Sequence, residues 1–320
     1  MVDFRYLLVT IVAVFLALGI GVLMGNVGLD VPEDIEDRID SVEADNDRLR
    51  AEIEDLDRTI AFGREFGEAV EQWLVTGTLA GEDVVLFEVD GSDGSMVDDL
   101  QNELEAAGAR VMATVAFNDK LALDSAVERD ELALILRSTS SDGTDLRAEA
   151  ALAVGGAAAA AAQAPGRDPQ QGSAASQRIE QLLDDLEEAD YVSVERDDDD
   201  GGGGGVVSVG ASFLVVAGSE SEPPFEVDDF VVALAEGLAQ RGAGVLAAEP
   251  GASSWDVVPT VRDDGEVNDS VATVDQADSI AGQIAVVMAL DLAARGLPGH
   301  YGVDSGATSV IPQPTSSPSP

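Results

Sequence analysis

The chain has 320 residues, 45% of them hydrophobic, enough to bury a sizeable core. Its 62 acidic residues against 17 basic leave a formal net charge of -45 and a pI near 4.1, which excludes nucleic acid as a partner because phosphate binding needs Lys and Arg on the surface. Cys is absent, so disulfides, thiolate metal sites and Cys nucleophiles are excluded as well.

Lys120 is the sole lysine. Abundant Asp and Glu with Arg in place of Lys reads mainly as adaptation to salty surroundings, where salt screens the self-repulsion of many carboxylates. A cation-binding surface is the alternative reading of the same charge.

Residues 6–29 carry no charge and include the apolar run from Leu7 to Leu18. At about 1.5 Å per residue such a helix is long enough for a hydrocarbon core of roughly 30 Å, so a transmembrane anchor is expected there. A cleaved signal peptide would have a shorter apolar core ending in a small-x-small site, whereas here the run continues through Gly19, Gly21 and Gly25. Arg5 precedes the segment and Asp30, Glu33, Asp34, Glu36 and Asp37 follow it. The positive-inside rule then expects residues 1–5 in the cytoplasm and the main domain outside, in the cell envelope.

After Pro32 the periodicity becomes heptad: Ile35, Ile39, Val42, Asn46, Leu49, Ile53, Leu56 and Ile60 alternate in steps of four and three. With Ile39, Asn46, Ile53 and Ile60 at a, and Ile35, Val42, Leu49 and Leu56 at d, residues 33–62 read as a coiled-coil stalk. Ile at a with Leu at d favours a parallel dimer, and a lone Asn at a sets register and strand number. The alternative is an amphipathic helix packed on its own domain. Phe62, Phe66, Val70, Trp73 and Leu74 continue an apolar stripe toward the join with that domain.

Residues 63–311 read as one α/β domain. The nearly continuous apolar run 84–89 is the kind of strand a parallel sheet buries. A helix over 96–107 and a strand over 110–117 complete a βαβ unit. Helices follow over 121–136, 145–162 and 177–188, then a strand over 191–194. The second half repeats the alternation, with strands at 213–218 and 244–248 and helices at 228–240 and 279–294. The fold class expected is thus α/β, a Rossmann-like or flavodoxin-like parallel sheet preceded by a transmembrane helix and a coiled-coil helix. Flexible loops are expected at 163–175 and 197–205, and a disordered Pro- and Ser-rich tail at 312–320.

Candidates for chemistry are few. Gly91-Ser92-Asp93-Gly94-Ser95 lies between a strand and a helix, where doubly wound folds bind phosphates, but it lacks the full glycine pattern and Asp93 would repel an anion. It reads as a plain turn. Asp197, Asp198, Asp199 and Asp200 precede a glycine run without the spacing of an EF-hand and read as a solvated loop. His300 is the only histidine, so neither a His cluster nor a Ser-His-Asp set beyond one imidazole can be built around it without other residue types. Catalytic residues are therefore named nowhere in the chain, no cofactor is expected, the metal ligands are unknown, and the chain reads as no enzyme.

Phe4-Arg5-Tyr6, the stretch from Ala13 to Val22 with Met24 and Gly25, and the coiled coil directly after it resemble the start of the mycobacterial MctB copper transport family. Near the other end, the run from Ile284 to Leu290, Gly299-His300-Tyr301-Gly302 and Gly306-Ala307-Thr308-Ser309-Val310 are similar to the family's terminal helix and the segment after it. The resemblance covers residues 4–310. It implies a membrane-associated protein that helps keep intracellular copper low, as a pore or export component, with copper as the transported ion. Cu(I) favours thiolate, thioether and imidazole; the chain offers His300 and five Met, of which Met96, Met112 and Met288 fall in elements assigned to the core, where Met fills space. Two functions are expected from different grounds. The first is a copper homeostasis and export component working as a homodimer or higher oligomer, and the second a non-enzymatic envelope scaffold that presents the acidic domain to another protein. A carboxylate-dependent hydrolase is the third, with no nucleophile and base pair to support it.

Overall fold

A computed structural model of the protein describes residues 4–26, 33–164, 169–196 and 205–313. The chain divides into two compact units, Met1–Glu65 and Phe66–Pro320.

The first unit holds helix α1 (Phe4–Asn26) and most of helix α2 (Glu33–Val75). Here the expected transmembrane anchor is corrected. Among the described residues no helix is long and apolar enough to cross a membrane. A bilayer core of roughly 30 Å calls for about 20 residues that are both helical and apolar throughout. The single-pass topology drawn from residues 6–29 falls with it, and residues 27–29 lie outside the described residues.

The second unit is built on a seven-stranded sheet in the order β3-β2-β1-β4-β5-β6-β7. Its strands are β1 (Asp83–Val89), β2 (Arg110–Phe117), β3 (Val192–Arg196), β4 (Ser212–Val216), β5 (Val245–Ala248), β6 (Ala272–Val274) and β7 (His300–Tyr301). All neighbours pair in parallel except β2 and β3. The parallel sheet expected from the apolar runs is present, with an antiparallel edge the sequence reading did not foresee. Edge position suits β3, whose Ser193, Glu195 and Arg196 are polar, since only one ladder and one face need apolar cover.

Helices cover both faces. On one side α3 (Gly94–Ala106) and α9 (Ile280–Ala294) pack with Val84, Leu86, Leu214 and Val216. On the other, α5 (Gly143–Ala162), α6 (Pro169–Glu188) and α7 (Val227–Ala239) pack with Val85, Phe87, Phe213 and Val215. Successive residues of β1 and β4 alternate between the two cores, which is why these strands lack the polar alternation of half-exposed ones. The Ala-rich α5 lies so close to α7 that a Cβ on Gly155 would stand 2.6 Å from the Leu234 carbonyl oxygen. Small residues there let the two backbones meet.

Two boundaries differ from the sequence reading. The helix expected over 121–136 is interrupted at Leu123, in the left-handed region at φ 56°, and restarts as α4 (Ala126–Leu136). Ser125 caps it: its hydroxyl accepts from the Glu128 amide (3.2 Å) while its own amide donates to the Glu128 carboxylate (2.9 Å), satisfying two donors a helix start leaves open. Helix α6 begins at Pro169, ahead of the 177 start expected, and residues 165–168 of the loop read at 163–175 lie outside the described residues. Short elements were missed altogether: α8 (Val257–Asp263), β6 and β7. Each is too brief for periodicity to register. The four-Asp segment and most of the glycine run after it, and residues 314–320 of the tail, lie outside the described residues.

Candidate functional site

The sheet order places a topological switch at β1: the chain moves to β2 on one side and later resumes at β4 on the other. Doubly wound folds bind ligands in the crevice that opens at the carboxyl ends of those two strands. A cavity of about 260 Å³ lies there, lined by Asp93, Ser219, Glu220, Pro250, Ala252 and Asp278.

Asp93 comes from the turn after β1 and caps α3. Its Oδ1 accepts from the Ser95 hydroxyl (2.6 Å), the Ser95 amide (3.0 Å) and the Met96 amide (3.4 Å). Its own amide donates to the Gly218 carbonyl (3.0 Å), tying this turn to the end of β4. The Ser95 hydroxyl bond, joined by the two amides, holds the Asp93 carboxyl below its ordinary range against the opposing effect of burial. A carboxylate thus fills the helix terminus where phosphate sits in nucleotide-binding relatives of the fold. Asp278 accepts from the Gly251 amide (2.8 Å), and Glu220 adds a third carboxylate to the lining. Three carboxylates thus line the crevice.

His300 lies elsewhere, in β7, and is committed to the fold. Arg262 donates from Nε to the Thr273 hydroxyl (2.8 Å), so that hydroxyl spends its hydrogen on His300 Nδ1 (2.9 Å). Asn268 donates its amide to the Arg262 carbonyl and turns its Oδ1 toward His300 Nε2 (2.9 Å). The hydrogen-bond directions assign the neutral Nε2–H tautomer. Burial, and then the Arg262 charge, lower the His300 pKa from its ordinary 6.5, against the raising effects of Asn268 and Asp269.

Around this ring runs a sealed charge network that the sequence reading missed. Arg262 and Asp275, each with a side chain only 2% exposed, pair at 2.9 Å. Arg262 also donates to the carbonyls of Tyr301 (2.8 Å) and Ser305 (3.2 Å), and Asp275 accepts from the amides of Val303 (2.7 Å) and Asp304 (3.2 Å). Gly302 has φ 127°, and a Cβ there would run into the Asp275 carboxylate. The glycines bracketing Tyr301 and the Gly306 downstream were the signal available. A buried Arg with a buried Asp leaves no periodic trace.

The methionines are dispersed. Met96 lies in the core on the α3 and α9 side, Met288 is partly buried against that same core, and Met112 packs on the opposite side of the sheet. Among the described residues no group of three or more His, Asp or Glu is arranged to hold a metal ion. The described site therefore positions carboxylates and a locked imidazole, with no soft-ligand cage around them.

Comparison with known proteins gives a full-length match. The family described as "Copper transport outer membrane protein, MctB" matches residues 1–312. Proteins named "Copper transporter MctB" from Mycobacterium bovis and Mycobacterium tuberculosis are 27% identical over 326 aligned residues, spanning 97% of this chain and 99% of each relative. The resemblance drawn from the two terminal motifs is thereby shown along nearly the whole sequence, and the chain belongs to the MctB copper transport family.

Proposed function

We propose that this protein is a copper transport and homeostasis component of the cell envelope that contributes to copper export as an oligomer, without enzymatic chemistry of its own. The observation that carries the reading is the family match over residues 1–312, supported by mycobacterial relatives named copper transporter whose length this chain spans almost completely. The family's description as an outer membrane protein supports the envelope location. Two features of the described residues suit a protein that passes copper on and does not retain it: His300 has both ring nitrogens engaged, and Met96, Met112 and Met288 are divided between two cores.

The test is genetic and chemical together. A deletion strain is expected to accumulate intracellular copper and to lose growth at copper concentrations the parent tolerates, with both restored by the full-length gene. Unchanged copper content and tolerance would overturn the reading.

One observation favours a second reading, an envelope scaffold. The apolar seam of α2 stands exposed and offers a contact that requires no metal. Under that reading, deletion changes the recovery of an envelope protein bound to the chain and leaves copper content unaltered.

A further inference from the structure

Helix α2 runs for 43 residues, and within the first unit its seam side chains are bare: Val42 is 62% exposed, Leu49 52%, Ile53 56%, Leu56 56% and Ile60 69%. Among the described residues of the unit none covers them, and the described side chains of α1 are exposed too. An amphipathic helix packed on its own chain would have buried this stripe. We infer that residues 42–60 of α2 form a parallel two-stranded coiled coil with a second copy of this chain. The inference supplies the oligomer named in the proposed function and rests on that reading only for its role in copper export.

Two features select a second copy and the parallel arrangement. The seam repeats in heptads, with Asn46, Ile53 and Ile60 at a and Val42, Leu49 and Leu56 at d, the combination that packs two parallel strands. Asn46 meets its own symmetry mate only in a parallel pair. Turned antiparallel it would face a d-position Val or Leu, and its amide would be buried unpaired. The flanking charges do not decide the orientation: Asp45 at g facing the partner's Arg50 at e is offset by the like-charged pair of Glu52 with the partner's Asp57, each occurring twice by symmetry. Both Asp45 and Arg50 are engaged in the single chain only by exposed contacts one turn away, to Arg48 (3.6 Å) and Asp47 (3.7 Å), which are weak enough to exchange.

The structure also says where the seam ends. The next d and a positions are Gly63 and Gly67. In the second unit a Cβ on Gly67 would stand 2.9 Å from Ile280 Cγ2, at the first turn of α9. That face of the helix is already taken within the chain, so Ile60 is the last knob left for a partner.

The absence of Cys makes the test clean. Full-length Leu49→Cys, Ile60→Cys and Ala51→Cys are oxidised, and the mass of the unmodified chain is measured by sedimentation equilibrium. Two chains of 33.0 kDa per particle are expected, with disulfide-linked dimers from both seam positions and none from Ala51 on the outer face. A one-chain mass, a mass of three or more chains, or linkage at only one of the two seam positions would overturn the inference. Because these readouts contain no copper, their failure leaves the copper phenotype standing. A strain without a copper phenotype leaves the dimer standing.

Discussion

Two regions of this chain treat their strongest interactions in opposite ways. Along α2, large apolar side chains stand in solvent at regular intervals with charges beside them. Between α8, β6 and the segment after β7, two full charges are sealed at 2% exposure and their hydrogen bonds go to backbone groups 28 to 43 residues away. Removing two charges from water is costly, and only the surrounding donors and acceptors make it tolerable. The first region leaves its apolar stripe in solvent, whereas the second meets its needs within one chain.

The comparison can be broken most severely at Arg262. Replacing it with Met leaves Asp275 buried and charged with two amide donors as its remaining support, and a loss of about 3–5 kcal/mol is expected. Urea unfolding followed by the buried Trp255 reads this out, and an unchanged midpoint would remove the network from any structural role. Next is Gly302→Ala, which puts a methyl against the Asp275 carboxylate and a side chain at φ 127°. About 2–3 kcal/mol should be lost, with amide exchange accelerating first over residues 302–309.

Glu103 gives a gain in place of a loss. Burial, and then Glu71 opposite it near the end of α2, push its pKa up from 4.5 to about 6, and its Oε1 has no hydrogen-bond partner. A raised native pKa means that this stability is present below pH 4.5 and lost as pH rises through about 6. Glu103→Gln should therefore stabilise the protein at pH 7 by about 1 kcal/mol, a figure reduced for the solvent that still reaches the group, and make no difference at pH 4. For His300 the sign is reversed. Its native pKa is depressed, so its contribution is full above pH 6.5 and declines as pH falls below that value. The only imidazole in the chain can be followed directly by NMR, and a midpoint at or above 6.5 would contradict the lowering by burial. The smallest effect is expected at Leu56→Asp: within about 0.5 kcal/mol for the α/β unit, as for exposed positions generally, while the two-chain mass disappears.

Much of the α/β unit could be read from its residues. The runs at 84–89 and 213–218 are apolar without alternation because both faces of a central parallel strand are covered, and both became central strands. The sequence placed Asp93 in the turn between a strand and a helix, and the structure shows it there as the cap of α3. Legibility failed where an element was short or irregular. The three residues of β6 and two of β7 carry no period, the antiparallel direction of β3 depends on how the chain returns from α6, and the break at Leu123 is set by Ser125 and Glu128 closing on each other. At the N-terminus, composition suggested a membrane span that the described residues do not support.

By itself the sequence determined the α/β alternation, the heptad phase of α2, the exclusion of thiolate chemistry and, through its two terminal motifs, the family. These are properties of local order or residue type, and each is written within a few turns of chain. Only the tertiary structure decided that His300 is locked by Thr273 and Asn268, that Arg262 and Asp275 share one sealed site with Gly302, and that the face of α2 beyond Ile60 is already occupied at Gly67. Those depend on burial and on which distant groups supply the missing hydrogen bonds, and burial is a property of the assembled fold that no single segment carries.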